Sequence, residues 1–434
     1  MNLSEEQIFA LAPDESSKKS GKDLANPSKW VSRSVNAIAL WGECQGSGSK
    51  PYQTQIDLTN IAFKCSCPSR KFPCKHGLGL LLLYAKNKEG FTTVAEPPAW
   101  VTDWLGKRSE KQEKQVAAKD KPVDEAAQAK RQQARQQKVD DGIEELSKWI
   151  KDIIRNGIIH IPEKDSSYFE NIARRMVDAQ APGLANMVRS LGETNFFKEG
   201  WQTAFTDQLV KIYLVLTGYR NKDLLNETLR EDIKTLIGFT QSQEELRSQT
   251  GTDDIWLVLA RQSEEQDAVT TEKYWLYGTQ TRKYALVLQF IVRGQGMQYS
   301  LTPGMFTRAE LVFFPSASPL RAIIKQQSAS AVNERFEGFD NWTSVAEATT
   351  DHTSIQPFLF ERPFIVSKLK PVQKDEQWWL QDDQKKIVRI KDGFAAIWKL
   401  LALSGGKALT TAVIGKEDTY EPLGVWTNNE YKIL

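Results

Sequence analysis

Three of the four cysteines and one of the three histidines in this 434-residue chain lie between positions 65 and 76. The segment reads CSCPSRKFPCKH, which is a C-x-C pair followed by a short loop and a C-x-H pair. Thiolates and imidazoles clustered in this way are the ligands of a tetrahedral zinc site. Since Cys65, Cys67, Cys74 and His76 supply a full set of four, the spacing predicts one structural Zn²⁺, because a catalytic zinc keeps one position open.

The residues around the cluster predict how it folds. Residues 52–58 alternate like a half-buried strand, and residues 61–65 read as the returning strand of a hairpin. A helix is expected from Lys75 to about Lys86, so zinc would tie the hairpin to a helix in a ββα unit. Gly77 and Gly79 are unusual inside a helix, and they indicate either close packing on the hairpin or close approach of a partner.

The motif extends upstream of the metal ligands. The chain reads WGECQGSG at 41–48, KPY at 50–52 and Asp57-Leu58 before the cluster. Together with C-x-C and C-x-H, these residues resemble bacterial proteins of the SWIM zinc-finger family over roughly residues 26–90. The resemblance implies zinc at the four ligand positions and a role in DNA binding or protein–protein interaction. It also implies an association with MoxR-like AAA-type ATPases, beside which similar bacterial proteins are encoded.

Charge, apolar runs and cysteine content argue against a general polyanion binder, a membrane protein and a secreted protein. The net charge is +2, so the whole chain is not a polyanion binder by charge alone. No apolar run is long enough to cross a bilayer, the N-terminus lacks a secretory signal, and three cysteines are committed to zinc. We therefore expect a cytoplasmic protein with no membrane partner. The fourth cysteine, Cys44, is expected to be buried and structural.

The pattern of elements predicts an α+β multidomain chain. Residues 1–105 hold the zinc-stapled ββα finger, and residues 106–140 form a charged linker that is either a solvated helix or disordered. Residues 141–247 read as a helical domain, and residues 248–434 as a strand-rich α+β domain whose fold the sequence does not name. In the last domain Trp378 and Trp379 are adjacent on one strand, so one ring should face the core, and the other is a candidate surface aromatic for a partner or a base.

We find no pattern typical of an active site, and we expect a non-enzymatic protein. With His76 committed to zinc, the remaining histidines are His160, in a short apolar run, and His352, in a segment that reads as a polar loop. The acidic pairs at 253–254 and 382–383 lie at the edges of elements, where solvated charge is expected.

Two functions remain open. Lys64, Arg70, Lys71 and Lys75 surround the cluster, and a cationic loop beside a helix N-terminus suits phosphate. This favours a nucleic-acid-binding finger, unless these are ordinary solvated charges. The alternative is an adaptor or regulator of a MoxR-like AAA-type ATPase complex that binds no nucleic acid. Both functions use zinc structurally.

Overall fold

The computed structural model describes most of the chain, with gaps. The described residues are 5–9, 11–46, 50–59, 61–69, 71–117, 125–266, 269–292, 301–330, 337–358, 361–416, 418–428 and 430–434. The fold is mixed, with an N-terminal finger, a helical middle region and sheets in the C-terminal part, as the sequence predicts. No described helix is both long and apolar enough to cross a lipid bilayer.

The N-terminal unit is a five-stranded sheet with helices on it. Its strands run in the order β4-β3-β2-β1-β5, and all pairs are antiparallel except β1 with β5. The elements are α1 Glu5–Phe9, α2 Glu15–Leu24, β1 Trp30–Val35, β2 Ala39–Cys44, β3 Tyr52–Asp57, β4 Ala62–Cys65, α3 Lys75–Lys86 and β5 Thr92–Thr93. The predicted hairpin and helix are therefore confirmed, but they belong to a larger sheet.

Helix α3 packs tightly on both of its neighbours. Its apolar run is buried in one core with Leu40, Ile56 and Phe63 of the sheet. A Cβ atom on Gly77 would lie 2.8 Å from Cδ1 of Phe63, and one on Gly79 would lie 2.7 Å from Cβ of Leu24 in α2. Of the two interpretations of these glycines, close packing is the one the structure supports, against the hairpin at Gly77 and against α2 at Gly79.

The middle region is helical. Its core is formed by the apolar faces of five helices and includes Leu146, Met176, Val188 and Phe205. The elements are α4 Ala99–Ala117, α5 Glu125–Asn156, α6 Ser166–Asp178, α7 Pro182–Gly192, α8 Trp201–Arg220, α9 Glu227–Ile237 and α10 Gln243–Ser248. Helix α4 passes through position 105 and α5 through position 140, so the domain boundaries drawn from the sequence stay predictions.

The expected charged linker is helical where it is described, and parts of it are packed. Val101 of α4, which precedes the segment, is buried with Ala39 and Trp41, so α4 covers the sheet face opposite α3, and within the segment Nε of Arg108 lies 3.4 Å from Oδ2 of Asp57. Arg135 of α5 donates to the carbonyl oxygen of Gly238 at 3.1 Å and lies over the ring of Phe239. The end of the segment is therefore part of the helical core rather than a solvated spacer.

The first part of the C-terminal region is a closed barrel. Its strands are β6 Thr252–Gln266, β7 Val269–Gly278, β8 Tyr284–Val292, β9 Phe306–Phe313 and β10 Arg321–Ser330. The order around the barrel is β6-β7-β8-β10-β9, with β6 pairing to both β7 and β9. Only the β8–β10 pair among these is parallel. Trp256, Tyr274 and Leu276 fill the interior.

The second part repeats this strand order. Its elements are α11 Trp342–Ile355, β11 Glu361–Lys374, β12 Gln377–Gln381, β13 Ile387–Ile390, α12 Ile397–Ser404, β14 Leu409–Lys416, β15 Thr419–Thr427 and β16 Glu430–Ile433. Strand β11 pairs with β12 and β14, and a parallel pairing of β13 with β15 closes the strands β11 to β15 into a barrel, while β16 adds to the C-terminal part of β15. Phe364, Leu380, Ile390 and Val425 belong to the enclosed core.

The two barrels pack against each other through a third apolar cluster. Trp275 and Tyr277 of β7 meet Ile365, Ala412 and Ile414 of the second barrel. Hydrogen bonds also join the two barrels: the Tyr431 hydroxyl donates to the Leu259 carbonyl at 2.8 Å, the Ile365 amide donates to the Tyr284 hydroxyl at 2.9 Å, and Arg362 donates to Ser318.

Candidate metal centre and cationic surface

The four predicted zinc ligands lie together. The ligand atoms of Cys65, Cys67, Cys74 and His76 are all within 4.8 Å of one another, the one such group of histidine, cysteine and acidic residues found in the described part of the chain. Sγ of Cys65 is 3.7 Å from Nδ1 of His76, and Sγ of Cys74 is 4.0 Å from it. Adjacent sulfur and nitrogen ligands of a tetrahedral zinc are about 3.6 Å apart at ordinary bond lengths. The donor set and its spacing are therefore compatible with one structural zinc.

Three local features position these ligands. Cys65 ends β4, and Cys67 follows in the C-x-C pair. Cys74 is the N-cap of α3, and its side chain makes no capping hydrogen bond, which leaves its sulfur for the metal. His76 lies in the first turn of α3 and is buried, with its ring against Tyr52. The positive end of the helix dipole also favours a thiolate at Cys74.

The cluster is supported by a neighbouring hydroxyl. Oγ1 of Thr54 on β3 lies 3.2 Å from Sγ of Cys65. Thr54 is fully buried and is paired with Cys65 across the two strands. When Cys65 is a thiolate its sulfur can only accept, so the Thr54 hydroxyl donates to it and orients the ligand.

The ligand residues of the cluster strongly shift one another's pKa values, some downward and some upward. Hydrogen bonding with Cys65 holds the pKa of the Cys67 thiol far below its ordinary value, and the same partner raises that of Cys74 far above it. Burial by itself lowers the pKa of His76, but hydrogen bonds to Cys65 and Cys67 outweigh burial and raise that pKa to about 9. A divalent cation would replace these protons and stabilise all three thiolates.

The fourth cysteine has a different environment. Cys44 is fully buried in the apolar core beneath the sheet, and burial raises the pKa of its thiol to about 11. A thiol of this kind stays protonated and unreactive. The expectation that Cys44 is buried is confirmed.

The four cations predicted around the cluster do not form one surface. Lys64 is exposed on β4, but it alternates with the buried Phe63, so its side chain lies on the sheet face opposite α3. Lys71 and Lys75 lie on the zinc side and are exposed. Arg70 is outside the described residues. Nζ of Lys71 is 2.6 Å from Oδ2 of Asp14, the N-cap of α2.

A serine–histidine pair was missed from the sequence. Position 352 lies in helix α11 and not in a polar loop, and Nδ1 of His352 is 3.0 Å from Oγ of Ser318. Burial lowers the pKa of His352, and the charge of Arg362 lowers it further. Arg362 also donates to the Ser318 hydroxyl, and Ser318 is buried. The pair is thus a packed polar contact, and 34 residues separate its members in sequence.

Two acids that were expected to be solvated are instead buried. Asp254 accepts hydrogen bonds from the amides of Gln280 and Thr281, and Asp382 accepts them from the amides of Trp342 and Lys386. The amides of Gln280, Thr281 and Lys386 belong to loops and that of Trp342 to the first turn of α11, and each would otherwise lack a partner within the protein. Asp254 and Asp382 therefore each hold a loop of their own barrel by hydrogen bonds, which explains why both carboxylates are buried.

Comparisons with known families match two parts of the chain. The SWIM zinc finger model matches residues 52–85, from β3 to the end of α3, and the model of the SWIM-associated four-helix bundle domain matches residues 134–237. Neither curated proteins nor solved structures gave a significant match. SWIM domains mediate protein or DNA interactions, and the family is generally non-catalytic. The chain therefore carries a SWIM zinc finger with a site for one structural zinc, followed by a SWIM-associated four-helix bundle domain.

Proposed function

We propose that the protein is a non-catalytic zinc protein whose SWIM finger binds nucleic acid. The observation that supports this proposal best is the placement of Lys75, which is exposed at the first position of α3 beside the zinc cluster. Its charge lies next to backbone N–H groups of the helix N-terminus, and the two together suit a phosphate group. Lys71 is also exposed on this side, so the proposed binding surface includes Lys71 and Lys75, and Arg70 is added to it from its place in the sequence alone.

Binding of this kind would be weakly sequence-specific. Three cations reach few phosphates, and phosphate contacts carry no sequence information directly. Lys71 must also exchange its contact with Asp14 for a phosphate, which reduces the gain in free energy. We therefore expect modest affinity and a strong dependence on salt.

A second candidate function is an adaptor for a protein partner, including a MoxR-like AAA-type ATPase, without nucleic-acid binding. Helix α8 supports it. Val210, Tyr213 and Leu214 are exposed and lie three and four residues apart, so they share one face of the helix. An exposed apolar face on the bundle is a feature of protein-binding surfaces.

Titration of the full zinc-loaded chain with a labelled DNA duplex separates the two functions. We expect binding at low salt that weakens steeply at physiological salt and is largely lost in the triple variant Arg70→Ala, Lys71→Ala and Lys75→Ala. Lys64→Ala is the matched control, because its side chain lies on the other face of the sheet. Duplex binding that is absent at low salt, or unchanged in the triple variant, would contradict the finger proposal and favour the adaptor.

A further inference from the structure

The two C-terminal barrels have the same topology. In each, the first strand pairs with the second and the fourth, and the third strand runs parallel to the fifth. A five-stranded Greek-key barrel connected in this way is the OB-fold, in which the face over strands 2 and 3 and the adjoining loops bind oligonucleotides or oligosaccharides. Because a fold does not by itself assign a function, the surfaces must be compared residue by residue.

The first barrel has no free binding face of this kind on its second strand. Trp275 and Tyr277 of β7 point out of the barrel, and each is only 1% exposed because the second barrel covers them. The aromatic side chains that could stack on bases are thus part of the contact between barrels.

The second barrel leaves the equivalent face open. Leu380 and Ile390 point into its core, so their neighbours Trp379 and Arg389 point outward. Val372, Trp379 and Arg389 are directly opposite one another across β11, β12 and β13. The indole ring is half-buried, and its Nε1 donates to the Lys374 carbonyl at 3.3 Å, which holds the ring along the hairpin.

The residues around Trp379 are cationic. Lys370 and Lys374 are exposed on β11, each two residues from Val372 and therefore on the same outer face. Arg389 bonds to the carboxylate of Asp392, while its Nε atom is buried without a hydrogen-bond partner. Across the three strands this face presents Lys370, Val372, Lys374, Gln377, Trp379, Gln381, Ile387 and Arg389, which include three cations, and the carboxylate of Asp392 lies against the last of them.

We propose that this face of the second barrel binds a single-stranded nucleic acid. One base stacks on Trp379, and the phosphates on either side contact Lys370, Lys374 and Arg389. A flat aromatic ring among cations accepts any base, because every base has a π-face, and the groove between cations follows the backbone. This site is separate from the finger and does not depend on it.

The test is a fluorescence-anisotropy titration of the full zinc-loaded chain with labelled oligo(dT) and oligo(rU). Trp379→Ala should raise Kd by about 5- to 150-fold, the range that corresponds to loss of one base–aromatic stack. Trp398→Ala is the matched control, since Trp398 is 74% exposed on α12 and contacts Trp378, whose ring lies on the opposite side of β12 from Trp379. It should leave Kd unchanged.

Charge variants provide a second measurement that does not depend on the indole ring. Lys370→Ala with Lys374→Ala should reduce the slope of log K against log salt by about 1.4, because each phosphate contact on a single strand contributes about 0.7. Asp392→Asn should strengthen binding, since it releases Arg389 and removes a negative charge near the phosphates. Lys399→Ala on α12 is the control for loss of an exposed lysine.

Three results would overturn the proposal. They are a Kd for Trp379→Ala equal to that of the unaltered chain, a salt slope unchanged in the double lysine variant, and an absence of single-strand binding at low salt. Single-strand binding lost only in the finger triple variant would place the nucleic acid on the finger instead. If Trp379→Ala fails to fold, Trp379→Phe, which keeps a ring, and the exposed lysine pair decide the question.

Discussion

Sγ of Cys65 lies 3.7 Å from Nδ1 of His76, so the last residue of β4 and the first turn of α3 meet at one point. Phe63 of β4 also packs against α3 in the apolar core of the finger. A zinc ion at this point would join sheet and helix directly. Metal binding and folding of the finger should therefore be coupled.

We expect Cys74→Ser to lose zinc and unfold the finger while the helical and barrel regions stay folded. The reason is that so small a core depends on metal for much of its stability. Zinc content by mass spectrometry and limited proteolysis measure the two effects. Cys44→Ala is the control and should retain one zinc per chain, because Cys44 is not a ligand. A finger that resists protease without zinc would refute the prediction.

Gly79→Ala should destabilise the finger although alanine is the better helix former. The new Cβ would lie 2.7 Å from Cβ of Leu24 and 3.2 Å from the Gly21 carbonyl oxygen, so α2 and α3 must separate. Overpacking of this kind costs about 1–3 kcal/mol.

Gly106→Ala in α4 is the matched control for Gly79→Ala, because nothing lies within 4 Å of its added Cβ. It should raise stability by up to about 1 kcal/mol through helix propensity. Urea unfolding of both variants gives the comparison. Equal effects would show that propensity, and not the contact between α2 and α3, governs position 79.

Glu272→Gln should destabilise the first barrel by about 3–5 kcal/mol, because it leaves the buried guanidinium of Arg261 without its counter-charge. The pair is joined by two hydrogen bonds of 2.8 Å, and both side chains are less than a tenth exposed. Glu264→Gln on the neighbouring β6 strand removes an exposed ion pair with Lys273 and should cost less than about 1 kcal/mol. Denaturant midpoints followed by tryptophan fluorescence measure both, and similar losses would contradict the distinction.

The pH dependence of the Asp14 contact has a definite sign. A hydrogen bond from Lys71, together with the Ser17 amide, lowers the pKa of Asp14 from 3.8 to about 2. The contact therefore stabilises the folded state above about pH 4, and this contribution is lost as pH falls toward 2. Its size is small, since both side chains are well exposed to solvent.

Lys71→Ala should raise the pKa of Asp14 part of the way to 3.8, because the Ser17 amide bond remains. Lys75→Ala should leave it unchanged. A carboxyl titration by NMR measures both variants. An unchanged pKa in Lys71→Ala would mean that the Lys71–Asp14 contact does not persist in solution.

Much of the finger could be predicted because its signals are local. The helix from Lys75 to Lys86 has the predicted bounds, and the zinc ligands lie within twelve residues. The face on which a cation lies was harder to predict. Lys64 is close to the cluster in sequence, but strand alternation turns its side chain away from the zinc side.

The barrels could not be predicted from the same kind of pattern. Alternation identifies β13 and β15 as strands, but the pairing of Arg389 with Thr419 that closes the second barrel depends on the whole fold. The similarity of the two barrels is also difficult to detect in the sequence because corresponding strands differ in length: β7 has 10 residues, and its counterpart β12 has 5. The opposite orientations of Trp378 and Trp379 were predicted, because alternation within one strand is sufficient for that.

Because Trp275 and Tyr277 are buried between the two barrels, the outer faces of the barrels differ in how many substitutions they can tolerate. A substitution on the outer face of β7 in the first barrel must preserve apolar packing against the second barrel, so few side chains fit there. Among the described residues, the strand pair β12–β13 of the second barrel contributes nothing to the apolar cluster that joins the barrels, so its outer face can vary with the demands of a ligand. The first barrel therefore provides a fixed contact surface, and the second barrel has an outer face that can change.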